Sequence, residues 1–212
     1  MIHYVWAMDD EWSDLELMAG RLHERVPWTR EQRLARPRIN PIRIATAWDI
    51  LVKGCSYVDR GPVKIVFDEQ TQHWTILVTG VRITSVLRFL VAHEIGEWYM
   101  KRTGYQHWNI EYLCDAFAFV LLMPAELLRP RLGGDPWAEL PRIAETFDVP
   151  VYSVAIRLAL LFGVPTAVIN KGEVLRVHDW GVSASDEWLR VAESDSSVRV
   201  VEHGKLKVVV KR

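Results

Sequence analysis

The chain contains two apolar stretches, each long enough for a helix, that carry a small set of acidic and histidine side chains. The first runs from Ser85 to about Arg102 and the second from Asn109 to Met123, where Pro124 ends it. Apolar residues dominate both, so the pattern predicts two helices that pack in a core. A charged side chain on a buried helix face must be paired or bound to a metal. The polar residues of these stretches are therefore the candidates for function.

The spacing of these polar residues is that of a helical metal site. His93 and Glu97 are four residues apart, so their side chains leave the same helix face one turn from each other. Glu94 lies about 100° round the helix from His93, close to any ion that His93 and Glu97 bind. This is the arrangement of a zinc site with a general base, although the usual motif is H-E-x-x-H and Glu97 stands at its fifth position. On the second helix Glu111 and Asp115 repeat the four-residue spacing and offer further ligands.

The same residues have simpler interpretations, which the sequence leaves open. Lys101 can pair with Glu97 at the i, i+4 spacing, so these charges can form an ordinary surface ion pair. His107, between the two helices, is either an auxiliary ligand or substrate contact, or a surface loop histidine.

Composition limits the class of protein. The chain has 212 residues, half of them apolar and a quarter charged, with a net charge of −1. We expect a globular protein, either one domain with an appendage or two small domains. The net charge argues against attachment to nucleic acid by charge alone, whereas the Arg-rich segment from Pro27 to Pro41 is either a solvated linker or a local phosphate-binding strip.

The N-terminal sequence has no signal-peptide pattern, and no stretch is apolar enough to span a membrane. We therefore expect a cytoplasmic protein without membrane contact. Cys55 and Cys114 are interpreted as buried free thiols in a reducing compartment.

Upstream of the two central helices the patterns predict a helix from Asp9 to about Val26 and a second from Pro41 to about Val52, capped by Asn40. Two β-rich runs, Val63 to Phe67 and His73 to Val78, predict a hairpin. Such a strand just ahead of a metal-binding helix often forms a wall of the substrate cleft, because its edge pairs with an extended peptide.

Downstream the patterns predict helices over 125–132, from 135 or 136 to 147, and over 149–161. Residues 136–162 have the outline of a helix-turn-helix, with either a packing role or a DNA-reading role; the second helix offers only Tyr152, Ser153 and Arg157 for contacts with bases. From Thr166 onward, β-rich runs and a turn at Gly204 predict a small sheet, with a helix from Ser185 to about Glu193 between its strands. We divide the chain into residues 1–165 and a β-rich extension, 166–212.

Two sequence motifs resemble those of a known family. The run RFLVAHEIGEW, followed by E-x-x-C-D-x-F-A-x-x-L-L-M-P, is similar to the ImmA/IrrE family of metallo-endopeptidases, and the hairpin and the segment IAETFDVPVYSVAIRL agree with it. The similarity covers about residues 40–162. It implies an α+β, zincin-like, mostly helical domain with a small β wall. It also implies hydrolysis of a peptide bond in a repressor or other regulatory protein, with zinc or another divalent cation as cofactor.

The resemblance also assigns roles by position. His93 and Glu111 correspond to metal ligands and Glu94 to the general base, while Asp115 is an orienting residue or an alternative ligand. Glu97 stands where the family has its second histidine, and we expect it to be the remaining metal ligand because carboxylates also bind zinc. Two carboxylates beside one imidazole neutralise a dication and favour harder ions such as manganese. The sequence therefore leaves three outcomes: an active site with an altered metal, a weak peptidase, or a metal-free regulatory protein that binds a protein partner or DNA.

Overall fold

The computed structural model describes residues 9–27, 37–59, 61–80, 84–105, 110–164, 166–170, 173–178, 198–204 and 206–211. Its helices are α1 Asp9–Glu24, α2 Pro41–Ala47, α3 Ser85–Thr103, α4 Ile110–Leu122, α5 Ala125–Leu128, α6 Leu140–Phe147 and α7 Val151–Phe162, with a 3-10 turn at Arg129–Arg131. Its strands are β1 Leu51–Cys55, β2 Val63–Asp68, β3 His73–Thr79, β4 Thr166–Asn170, β5 Glu173–His178, β6 Val198–His203 and β7 Leu206–Lys211. This is an α+β fold, as the sequence predicted.

Capping residues determine the ends of the helices that position the site. The Thr84 hydroxyl accepts a hydrogen bond from the Leu87 amide at 3.3 Å and begins α3. Gly104, with φ of 68°, ends α3 in the left-handed conformation that glycine adopts without a steric penalty. Asn40 caps α2 by accepting from the Ile42 amide at 3.0 Å. The predicted bounds of α3 and α4 agree with the structure to within about two residues.

The prediction that the Asn40-capped helix extends to Val52 is wrong. The helix ends at Ala47, and Asp49 takes a positive φ of 60° that turns the chain. Residues 51–55 then form β1, which pairs in parallel with β3 from Leu51 opposite Thr75 to Cys55 opposite Thr79. Most β1 side chains are exposed, so its sequence shows no alternation that distinguishes it from the end of a helix.

The predicted hairpin is present and forms the rest of this sheet. The strands β2 and β3 pair antiparallel, with Ile65 opposite Ile76 and Phe67 opposite Trp74, and the strand order is β1-β3-β2. Among the described strands β2 is thus an edge strand, and it packs against α3. The predicted start of the next helix at residue 135 or 136 is wrong. Residues 136–139 form a turn, and α6 begins at Leu140.

Two buried arginines hold helix ends together. Arg88 of α3 donates to the carbonyls of Asp148 and Ile39 and pairs with the Asp148 carboxylate at 3.3 Å. Arg157 of α7 donates to the Met123 carbonyl at 2.9 Å and pairs with Glu16 of α1. Ser153 and Arg157 are therefore buried in packing contacts of α7.

The C-terminal strands form an antiparallel sheet of order β5-β4-β7-β6, which packs on α7. Its Val168, Val201, Val208 and Val210 belong to the same buried cluster as the helices. The predicted 185–193 helix, His107 and most of the Arg-rich segment lie outside the described residues, and the division at 165/166 stays a prediction. Of the helices described, none combines the length and the apolarity that crossing a bilayer requires.

Candidate active site

The site is built where α3 and α4 approach each other closely. A Cβ atom added at Gly96 of α3 would lie 2.9 Å from Cδ1 of Phe117 and 3.4 Å from Cα of Cys114, both on α4. Only glycine permits this separation of the two helices. The close approach brings the polar face of α3, with His93, into contact with the polar face of α4.

His93 lies between the two acidic residues of α4. Its Nδ1 is 2.9 Å from Oδ1 of Asp115, and its Nε2 is 3.4 Å from Oε2 of Glu111. Because the Asp115 carboxylate accepts hydrogen bonds, the ring donates to it from Nδ1. In the neutral ring with that proton, the lone pair on Nε2 is directed toward Glu111 and is available to a metal. A carboxylate behind a histidine in this way fixes the ring and increases the basicity of its other nitrogen.

Glu94 is turned from this pair toward the sheet. Its carboxylate accepts a hydrogen bond of 2.6 Å from the Ile65 amide of β2, and only 9% of the residue is exposed. Burial raises the pKa of Glu94 to about 7; the nearby Glu97 carboxylate adds to the rise, while the Ile65 amide and His93 oppose it. A carboxyl group that titrates near neutral pH is suited to accept and return a proton.

Glu97 forms an ion pair with Lys101, the simpler of the two interpretations that the i, i+4 spacing left open. Its carboxylate also helps to raise the pKa of Glu94, so it belongs to the same cluster of acids. The Lys101 ammonium lies 5.9 Å from the centre of the Trp74 ring on β3. Lys101 therefore supplies a positive charge at the end of the cluster.

Two of these residues are spaced as ligands of one divalent cation would be. Two ligands of one tetrahedral zinc lie roughly 3.4 Å apart, given bonds near 2.1 Å, and His93 Nε2 and Glu111 Oε2 are separated by 3.4 Å. Within the described residues no group of three or more His, Cys, Asp or Glu side chains converges on a point that would hold an ion. His93 and Glu111 are thus placed to bind a cation. The third candidate ligand, Glu97, is instead paired with Lys101.

The structure brings five of the predicted site residues together: His93 contacts Glu111 and Asp115, and Glu97 lies near enough to Glu94 to raise its pKa. Sequence reasoning missed the Ile65 amide. The only available signal was the hairpin just ahead of the helix, which indicates a wall but does not identify the amide that faces Glu94.

Burial also raises the pKa of the Cys114 thiol, which lies among these acids. Cys114 is buried and Cys55 is half-buried, and both are free thiols.

Comparisons with known proteins bear on the fold and on the family of the central segment. No curated protein matches the chain in sequence. A solved structure described as a Mycobacterium tuberculosis transcriptional regulator matches with a TM-score of 0.55 and 14% identity over 93% of this chain and 74% of that one. At that identity the match shows a shared fold. Residues 87–159 match the IrrE N-terminal-like domain, peptidase family M78. The match assigns this segment, which contains most of α3, all of α4 and the side chains of His93, Glu94, Glu97, Glu111 and Asp115, to the ImmA/IrrE family.

Proposed function

We propose that the protein is a cytoplasmic metal-dependent endopeptidase that hydrolyses a peptide bond in a regulatory or repressor protein. The observation that carries this proposal is the chain of contacts from Asp115 through His93 to Glu111, with the buried Glu94 beside it. The family of the 87–159 domain supports the same reaction class.

His93 and Glu111 would hold the metal, with Glu97 as the third ligand once its pair with Lys101 opens. When bound, a divalent cation supplies Lewis-acid polarisation of the scissile carbonyl. We favour zinc, with manganese as the alternative because two of the three donors are carboxylates.

Glu94 is the general base. With a pKa of about 7 it is partly ionised at neutral pH, so it accepts a proton from the attacking water and returns it to the leaving amine. Its hydrogen bond from Ile65 holds the carboxylate beside the edge of β2, where an extended peptide would pair with the strand.

A second candidate is a catalytically weak or inactive regulator that binds a protein partner or DNA. The Glu97–Lys101 ion pair favours it, because Lys101 already neutralises a carboxylate that a metal would need. The neighbour of similar fold is named a transcriptional regulator, which is compatible with this second role.

The metal content of the purified chain separates the two candidates. We expect one zinc or manganese ion per chain by mass spectrometry, lost in His93→Ala and in Glu111→Ala and retained in the surface control Glu69→Ala. Glu94→Gln should keep the ion yet cleave a mixture of synthetic peptides at least about 100-fold more slowly. A wild-type chain without a bound ion after metal loading would favour the regulator.

A further inference from the structure

An aromatic pair lies next to the acidic cluster and has no role in the chemistry proposed above. The rings of Phe67 on β2 and Trp74 on β3 are 4.9 Å apart between centroids, tilted by 46°. Trp74 packs against the hydrophobic core, whereas 42% of Phe67 is exposed. We call these two residues the aromatic shelf.

The shelf adjoins the edge of the sheet that faces Glu94. The Ile65 amide points out of the sheet to Glu94, and amides along a strand alternate in direction, so the amide and carbonyl of Phe67 face the same edge. Two residues along a strand span roughly 7 Å. Phe67 therefore lies two residues along β2 from Ile65, the residue whose amide binds the Glu94 carboxylate.

Lys101 connects the shelf to the acidic cluster. Its ammonium lies 5.9 Å from the Trp74 ring centre and pairs with Glu97. The shelf is therefore an apolar surface bounded on one side by charged groups. The carboxylates of Glu94, Glu97 and Glu111 would repel a phosphate backbone, which excludes a nucleic acid as its natural occupant.

We propose that the aromatic shelf selects an aromatic or bulky aliphatic side chain in an extended peptide that pairs with the edge of β2, about two residues from the bond beside Glu94. This inference rests on the peptide-binding part of the proposed function. Main-chain pairing with the strand supplies affinity without sequence preference, so selectivity must come from side-chain contacts of alternate residues. Aromatic and large aliphatic side chains opposite an aromatic residue form the favourable cross-strand pairs.

The test is a selection of displayed random peptides on the full chain carrying Glu94→Gln, which retains an acceptor for the Ile65 amide. We expect aromatic or large aliphatic residues to be enriched about three- to tenfold at one peptide position. Adding Phe67→Ala should abolish the enrichment and Phe67→Leu should retain part of it. Phe162→Ala is the matched control, since Phe162 on α7 is 41% exposed, and it should leave the enrichment unchanged.

The outcomes distinguish this inference from the proposed reaction. Peptides that bind with the Phe67-dependent preference but that the wild-type chain does not cleave would support the shelf and contradict the peptidase. Cleavage with a residue profile that Phe67→Ala leaves unaltered would overturn the shelf and leave the peptidase in place. Two other results would overturn the shelf: no peptide enriched over background, or a wild-type dimer that Phe67→Ala abolishes.

Discussion

At the scale of single residues, the site depends on which partner each polar group obtains. Glu94 obtains a backbone amide and a neighbouring carboxylate in a buried position, and burial is the largest cause of its raised pKa. Glu97 forms an ion pair with Lys101, and both side chains are partly exposed. An exposed i, i+4 pair contributes only about 0.3–0.5 kcal/mol, so the pair is a weak competitor for a bound cation.

The raised pKa of Glu94 predicts a pH-dependent stability. Since its pKa is about 7 in the folded chain and 4.5 without perturbation, the folded state holds a proton that the unfolded state has released between these values. The contribution is fully present below pH 4.5 and is lost as the pH rises through 7. Relative to Glu94→Gln, the wild-type free energy of unfolding should fall by about 2–3 kcal/mol between pH 4.5 and 8.

Urea denaturation with a chelator present, at both pH values, measures this difference. Glu69→Gln, on the exposed turn of the hairpin, is the control. A constant difference between wild type and Glu94→Gln across this range would show that folding does not raise the pKa of Glu94.

Replacing Glu97 by His should raise the affinity for zinc. An imidazole cannot form the ion pair with Lys101, and it supplies the nitrogen donor of the usual motif. We expect a gain of about tenfold or more in calorimetric titration, against no gain for Glu69→His. An affinity equal to that of wild type would count against the convergence of residues 93, 97 and 111 on one ion.

At the scale of elements, the contact between α3 and α4 is what joins residues distant in sequence into one site. Gly96 sets their separation, because its missing Cβ leaves room for Phe117. A glycine inside a helix costs about 1 kcal/mol relative to alanine. The close packing of α3 on α4 must therefore offset that cost.

Gly96→Ala tests this balance. We expect a net loss of about 1–2 kcal/mol in the free energy of unfolding, because overpacking against Phe117 exceeds the gain in helix propensity. Gly20→Ala is the matched control, since a Cβ on Gly20 of α1 meets nothing within 4 Å, and it should stabilise the protein slightly. If both substitutions stabilise the protein, the helices tolerate a wider separation.

At the scale of the whole molecule, one buried cluster extends from the helices into the C-terminal sheet. Arg199 of β6 also pairs with Asp135, ahead of α6, with an Nη1–Oδ1 distance of 2.9 Å. The two parts of the chain should therefore unfold together.

The buried Val208 and the 40% exposed Val200 provide the comparison. Val208→Ala should lower the free energy of unfolding by about 2 kcal/mol, with near- and far-ultraviolet circular dichroism transitions shifted equally, whereas Val200→Ala should change it by less than about 0.5 kcal/mol. A separate second transition affected by Val208→Ala alone would show that residues 166–212 fold independently.

The sequence by itself determined the features that depend on neighbours along the chain. Periodicity identified α3 and α4, Asn40 marked a helix start, two β-rich runs predicted the β2–β3 hairpin, and the four-residue spacing allowed the Glu97–Lys101 pair. Each of these is encoded within about one helical turn or one strand, which is the range over which residue patterns are informative.

Only the tertiary structure decided the features that depend on contacts between distant segments. It formed β1 by parallel pairing with β3 and directed the Ile65 amide to Glu94. It also brought Asp115 beside Nδ1 of His93 and Glu111 beside Nε2. These contacts follow from the separation and rotation of packed elements, which Gly96 and Phe117 set across the α3–α4 contact. No local pattern encodes such a rotation, because it is fixed by the shapes of side chains that meet only in the folded core.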